Sequence, residues 1–151
     1  MSTNGKEVGR IIRAIFVCFF LSGSAGLIYQ VLWVRMLGLI FGHTVHAITT
    51  VLVIFMAGLA LGSYFFGRRV DRMGGLLRLY GALEIGIGLY CLFIPLMLRG
   101  VEWSYLHISN TFHISQSGYT LLQFFLVFPV LVIPTLLMGG TLPILSRYFV
   151  S

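Results

Sequence analysis

Four apolar runs of about twenty residues dominate this chain and leave it one solvent. They are Ala14 to Val34, Ala47 to Phe66, Leu79 to Leu98 and Tyr119 to Met138. A helix needs about 20 mostly apolar residues to cross the hydrocarbon core of a bilayer. None of the four contains Lys, Arg or Asp, and the third alone contains a Glu. Open strands are excluded, because lipid offers nothing to the backbone groups of a sheet edge. Composition agrees. Charged residues make up 9% of the 151, against about 25% in a soluble domain. The expected fold is an all-α integral membrane domain of four transmembrane helices over 1–151.

The basic residues give the direction. Lys6, Arg10 and Arg13 precede the first run, Arg68, Arg69, Arg72 and Arg78 lie between the second and third, and Arg147 follows the fourth. Arg35 and Arg99 alone fall on the other side. An excess of Lys and Arg marks cytoplasmic segments, so both termini and the 67–78 turn are expected inside. The location implied is a bacterial-type inner membrane. The net charge of +6 therefore reports topology. Nucleic-acid binding would require a basic patch on a soluble module, and no nucleic-acid partner is expected. Basic residues, an apolar stretch and then SGSAG could pass for a leader and its cleavage site, but Leu27 to Val34 continues the apolar run beyond it, and the first run is read as a retained span. Residues 99–118 are expected as an outer loop, with Trp103, Tyr105 and Phe112 on a short helix lying in the interface.

Greasy faces do not assemble helices in lipid, whereas small residues that let backbones approach do. Three candidate faces stand out: Ser22 to Gly26 in the first span, Gly58 and Gly62 in the second, and Ala82, Gly86 and Gly88 in the third. Pro129, Pro134 and Pro143 remove backbone donors from the fourth span and predict a bend near its end.

Few residues carry chemistry. Glu84 lies roughly 8 Å into the third span at helical rise. An acid there is costly unless paired, neutral or facing water. It is a candidate contact for a transported cation, or a structural partner of Arg13, Arg72 or a serine. Tyr29 and Gln30 are polar candidates in the first span, and Gln30 needs hydrogen-bond partners if buried. Trp33 and Arg35 read as interface anchors. His43 and His46, with His107 and His113 distant, fall short of the three or four ligands zinc takes. Cys18 and Cys91 fit no metal or redox spacing. No cofactor, metal or catalytic set is expected.

The segment FFGRRVDRMGG concentrates charge between two spans. Gly67, Asp71, Arg72 and Gly74 follow the spacing Gly-x-x-x-Asp-Arg-x-Gly. The glycines permit a turn and close contact. Asp71 can accept from a helix N-terminus, and Arg72 can pair with an acid on another helix, together forming a latch. The bland alternative is a topology signal meeting anionic lipid. The spacing resembles the signature loop between the second and third helices of the major facilitator superfamily, without its following basic pair, since Gly75 and Leu76 stand there.

The strings FFLSGSAGLIYQVLWVRMLGLIFG, FMAGLALGSYFFGRRVDR, LRLYGALEIGIGLY and PTLLMGGTLPILSRY resemble the first four helices of the fused transporter–spermidine synthase family. That resemblance implies a transporter-type module, the first part of a major-facilitator-type half, linked to polyamines or related organic cations. It implies partners: the bilayer, and further helices from another chain or a second copy. Relatives often carry Tyr-Glu where Tyr29 and Gln30 stand here. The aminopropyltransferase domain of the family is not within these residues, so no enzymatic activity is expected of them. The alternative is a structural subunit that anchors a membrane complex.

Overall fold

The computed structural model describes residues 3–41, 45–72, 74–111 and 116–150. These form four long helices: α1 (Thr3–Phe41), α2 (Val45–Arg69), α3 (Leu76–Thr111) and α4 (Gln116–Val150). A single 3₁₀ turn, Val70–Arg72, follows α2. No strand occurs among the described residues. Each helix contains a stretch long and apolar enough to cross a membrane. Phe20, Leu92, Phe125 and Leu39 stand more than 70% exposed, an arrangement water would not tolerate. The chain is a multi-pass membrane protein.

The helices outrun the spans read from sequence. Trp33 is 2% exposed and packs edge-on to Phe55, inside the main core. It is a core residue, not an interface anchor. Arg35, two residues on, is exposed while α1 runs on to Phe41. The expected outer loop at 99–118 is likewise corrected: α3 continues unbroken through Arg99 to Thr111. The reason is the buried seam of α3. Tyr80, Leu83, Ile87, Cys91, Ile94, Leu98 and Val101 recur every three or four residues, the period of one helix face. That face is still packing at Val101. Phe112 and His113 lie outside the described residues, as does His43.

The core is ordered around α4, which packs against both α2 and α3, while α1 rests mainly on α2 and also meets α3 and α4. The α2–α4 seam is a backbone contact. A Cβ on Gly62 would fall on the carbonyl oxygen of Leu136 and lie 3.1 Å from the Gly139 Cα. A Cβ on Gly139 would in turn fall on the Leu59 carbonyl. Gly58 and Gly140 continue the seam in both directions. The other two expected small-residue faces are mostly open, with nothing within 4 Å of a Cβ at Gly23, Gly86 or Gly88. Only 11% of the apolar stretch of α1 is buried, against 33% for α2, so α1 is the peripheral helix.

The prolines of α4 lie within one continuous helix. Pro134 has no N–H for the carbonyl of Val130, its partner four residues back. The Tyr90 hydroxyl of α3 donates to that carbonyl at 3.2 Å. The Thr135 hydroxyl donates to the Leu131 carbonyl at 2.7 Å, Thr141 to Met138 at 2.7 Å and Ser146 to Pro143 at 3.0 Å. Of these, the Tyr90 bond meets a carbonyl whose helical donor a proline has removed, while the three hydroxyls of α4 bond back onto their own helix.

Two outcomes follow for stability in detergent. Gly62→Ala is expected to cost about 1–3 kcal/mol by overpacking, while Gly86→Ala, in open space, leaves the unfolding midpoint unchanged. Tyr90→Phe is expected to cost about 0.6–1 kcal/mol, the usual worth of a hydrogen bond between membrane helices. Restoring the Val130 partner by Pro134→Ala should abolish that dependence on Tyr90.

Candidate functional site

One candidate region lies at the arginine-rich end. α2 closes with Arg68 and Arg69, and each covers an aromatic ring one turn back: Arg68 over Tyr64, also donating to its hydroxyl at 2.7 Å, and Arg69 over Phe65. Chain reversal follows at Gly75, whose φ of +69° is left-handed, a conformation only glycine adopts cheaply. Its carbonyl accepts from the amides of Arg78 and Leu79, opening α3.

Of the four motif residues, Asp71 has a charged partner. Its Oδ1 lies 3.0 Å from Nε of Arg147 near the end of α4. The ion pair therefore joins the α2–α3 turn to α4, and its anion meets a guanidinium instead of a helix N-terminus. Arg72 is exposed and makes no ion pair among the described residues. Gly67 is helical, where an added Cβ would meet Pro143 at 3.9 Å, an ordinary contact, and Gly74 faces open space. The glycine that makes the turn is Gly75.

The second region is the α1–α3 seam. The Ser22 hydroxyl of α1 lies 2.8 Å from both carboxylate oxygens of Glu84. Arg13 and Arg72 do not reach that carboxylate. Arg13 donates to the Gly9 carbonyl at 3.3 Å instead. One turn before Glu84, Tyr80 buries its ring against Val70, Leu83 and Ile144. Its hydroxyl is buried and makes no hydrogen bond among the described residues. Ser22 also lines a cavity of about 320 Å³ between α1, α2 and α4, together with Gly23, Gly26, Ser63, Met138 and Thr141. The cavity is mainly apolar, and Ser22 connects it to the acid behind.

Tyr29 and Gln30 are both half-buried, near the other end of α1. Tyr29 stacks on Trp33 at a centroid distance of 6.0 Å. The structure does not bring them to Glu84, two turns or more along the helix. His107 stacks on Trp103. No group of three or more His, Cys, Asp or Glu able to hold a metal occurs among the described residues.

Sequence reading singled out Glu84 and Asp71 and offered an unnamed serine among the partners of Glu84, which the structure gives as Ser22, but it missed Arg147 as the partner of Asp71. Ser22 and Glu84 lie at similar depth in helices running the same way, a signal available in the sequence. Arg147 is the lone cation beyond the fourth span, opposite a lone aspartate. Tyr80 carried no signal, being one of seven tyrosines.

The chain matches no protein-family model, no curated protein and no solved structure.

Asp71 is 67% exposed and Arg147 44%, so the pair is worth about 0.2–1 kcal/mol. Asp71→Arg should lower the unfolding midpoint slightly at low salt. The exchange Asp71→Arg with Arg147→Asp should recover most of the loss, and 0.5 M salt, chosen as roughly a 4–5 Å screening length, should erase the difference.

Proposed function

We propose that this chain is a transporter-type membrane module that handles organic cations as part of a larger fused or split assembly. Both termini and the arginine-rich turn face the cytoplasm. The observation that carries the proposal is Glu84. It is a carboxylate within the membrane-length part of α3, with no basic partner among the described residues, held by a serine of another helix that lines a cavity. Intramembrane acids of this kind mark ion and substrate paths by default. The resemblance of the four quoted strings to the fused transporter–spermidine synthase family supports the same reading and points to polyamine-like cargo.

The module is incomplete as a pathway. Transport sites form between repeats or bundles, and α1 presents a wide apolar face with Phe16, Phe20, Leu27 and Val31 exposed. Further helices, from a partner chain or a second copy, complete it. The ion pair between Asp71 and Arg147 then acts as a latch at the inner end. A second reading, a structural subunit anchoring a complex, is favoured by the glycine seam, which holds α2 and α4 in fixed contact.

Three measurements test this. Native mass in mild detergent is expected to show an assembly larger than one 16.9 kDa chain, and a lone chain counts against a pathway module. Within the assembly, Glu84→Gln should abolish cation uptake while insertion stays normal, whereas unchanged uptake assigns Glu84 a structural role. Single cysteines placed at 72 and 108 should label differently from outside intact cells, 108 readily and 72 not at all.

A further inference from the structure

We propose that Glu84, Ser22 and Tyr80 form a binding site for one compact monovalent cation at the α1–α3 seam, either an alkali ion or the protonated head of a primary amine. The inference deepens the cation-handling reading of the same carboxylate and rests on it for its role in transport. Binding itself is measurable without transport.

The argument begins with hydrogens. Ser22 Oγ lies 2.8 Å from Oε1 and from Oε2 of Glu84. A serine hydroxyl has one hydrogen and two lone pairs. It supplies one of those contacts well, or both weakly. The carboxylate, with about four acceptor positions, keeps most of them unfilled. No cation among the described residues fills them, since the one ion pair there is Asp71 with Arg147.

Tyr80 is the second, independent observation. Its side chain is 6% exposed, and its hydroxyl is without a hydrogen bond. Such an orphan is uncommon in a native structure and calls for an explanation, an unseen ion among them. The ring is fixed by Val70, Leu83 and Ile144, and the hydroxyl lies near enough to the Glu84 carboxylate to interact with it while falling outside hydrogen-bond geometry. Three acceptor groups from two helices are thus gathered: one carboxylate, one aliphatic hydroxyl and one phenol.

This donor set selects its ligand. A single carboxylate balances a single positive charge. Calcium takes six to eight oxygens and magnesium a near-ideal octahedron, and nothing here approaches either. Zinc and copper prefer sulfur and imidazole, and no cluster of three such ligands exists among the described residues. A primary ammonium has three N–H donors in need of three acceptors, the number present. An alkali ion meets the same oxygens and completes its shell with water. Ser22 also lines the cavity between α1, α2 and α4, so one group of the site borders that space. A cation bound here joins α1 to α3, and α1 is otherwise the least buried helix.

The experiment uses the purified full chain in mild detergent, at fixed pH and ionic strength. The unfolding midpoint is titrated with sodium, methylammonium or tetramethylammonium chloride. A saturable rise with sodium or methylammonium is expected, and none with tetramethylammonium, which is bulky and has no N–H. The compact ion with the lower half-saturation is then the assigned ligand. Glu84→Gln should abolish the rise. Tyr80→Phe should weaken half-saturation roughly fivefold, the worth of one hydrogen bond, and it remains decisive, with Ser22→Ala, where Glu84→Gln does not fold. Arg99→Gln, on the far side of the membrane, should leave the titration unchanged. An equal rise with tetramethylammonium, no rise with any ion, or titrations unaffected by Tyr80→Phe and Ser22→Ala overturns the site. An assembly that moves no cation, while its purified chain shows this selectivity, sinks the transport reading and leaves the site standing.

Discussion

Backbone-to-backbone contact between α2 and α4 is the interaction on which the rest of this bundle depends. Lipid tails are as apolar as leucine, so burying Leu131 or Ile54 away from lipid gains little of what it would gain in water. What remains is dispersion, which falls off steeply with distance, and close approach is therefore decisive. Gly62 and Gly139 let the two helices meet without side chains between them. Once α4 is fixed on α2, its other side is available to the periodic face of α3. Val127, Leu131 and Ile94 then close a core of residues no more than 1% exposed.

The four crossings were legible because twenty apolar residues in a row have few other fates. The helix ends were not. Sequence reading stops a span at its first charge, at Arg35 and Arg99, yet both α1 and α3 continue for more than a turn. An arginine ends the hydrocarbon path but not the helix, since its long stem lets the guanidinium reach water. That error moved Trp33 to the boundary when it belongs to the core. Glycine spacing identified the α2 face correctly and misjudged α3, where Gly86 and Gly88 meet nothing. A small residue permits an approach without supplying a partner.

The candidate site was half legible for a related reason. Charges are so scarce here that Asp71 and Glu84 could hardly be missed. Their partners come from helices far away in sequence: Arg147 lies at the opposite end of the chain, and Ser22 is separated from Glu84 by 62 residues. Which helix faces which depends on α4 entering between α2 and α3, and no periodicity encodes that order. Tyr90 shows the same limit. Pro134 predicts an unfilled carbonyl at Val130, but only the packed structure shows a tyrosine of α3 filling it.

The helices are held by unequal means, and this bears on which part can move. α2 and α4 are joined through backbone, and α3 is tied to α4 through its long apolar face and the Tyr90 bond. α1 is attached by fewer, side-chain contacts: Trp33 on Phe55, Phe16 on Phe149 at 5.0 Å, and Ser22 on Glu84. Stacked rings slide at small cost and apolar contacts re-form against lipid. A hydroxyl leaving a carboxylate in hydrocarbon has no such replacement. Ser22–Glu84 is therefore the contact that most distinguishes a docked α1 from a displaced one. Any ligand that competes for the carboxylate, or bridges it to the serine, acts on that distinction directly, and the peripheral helix becomes the element whose position it controls.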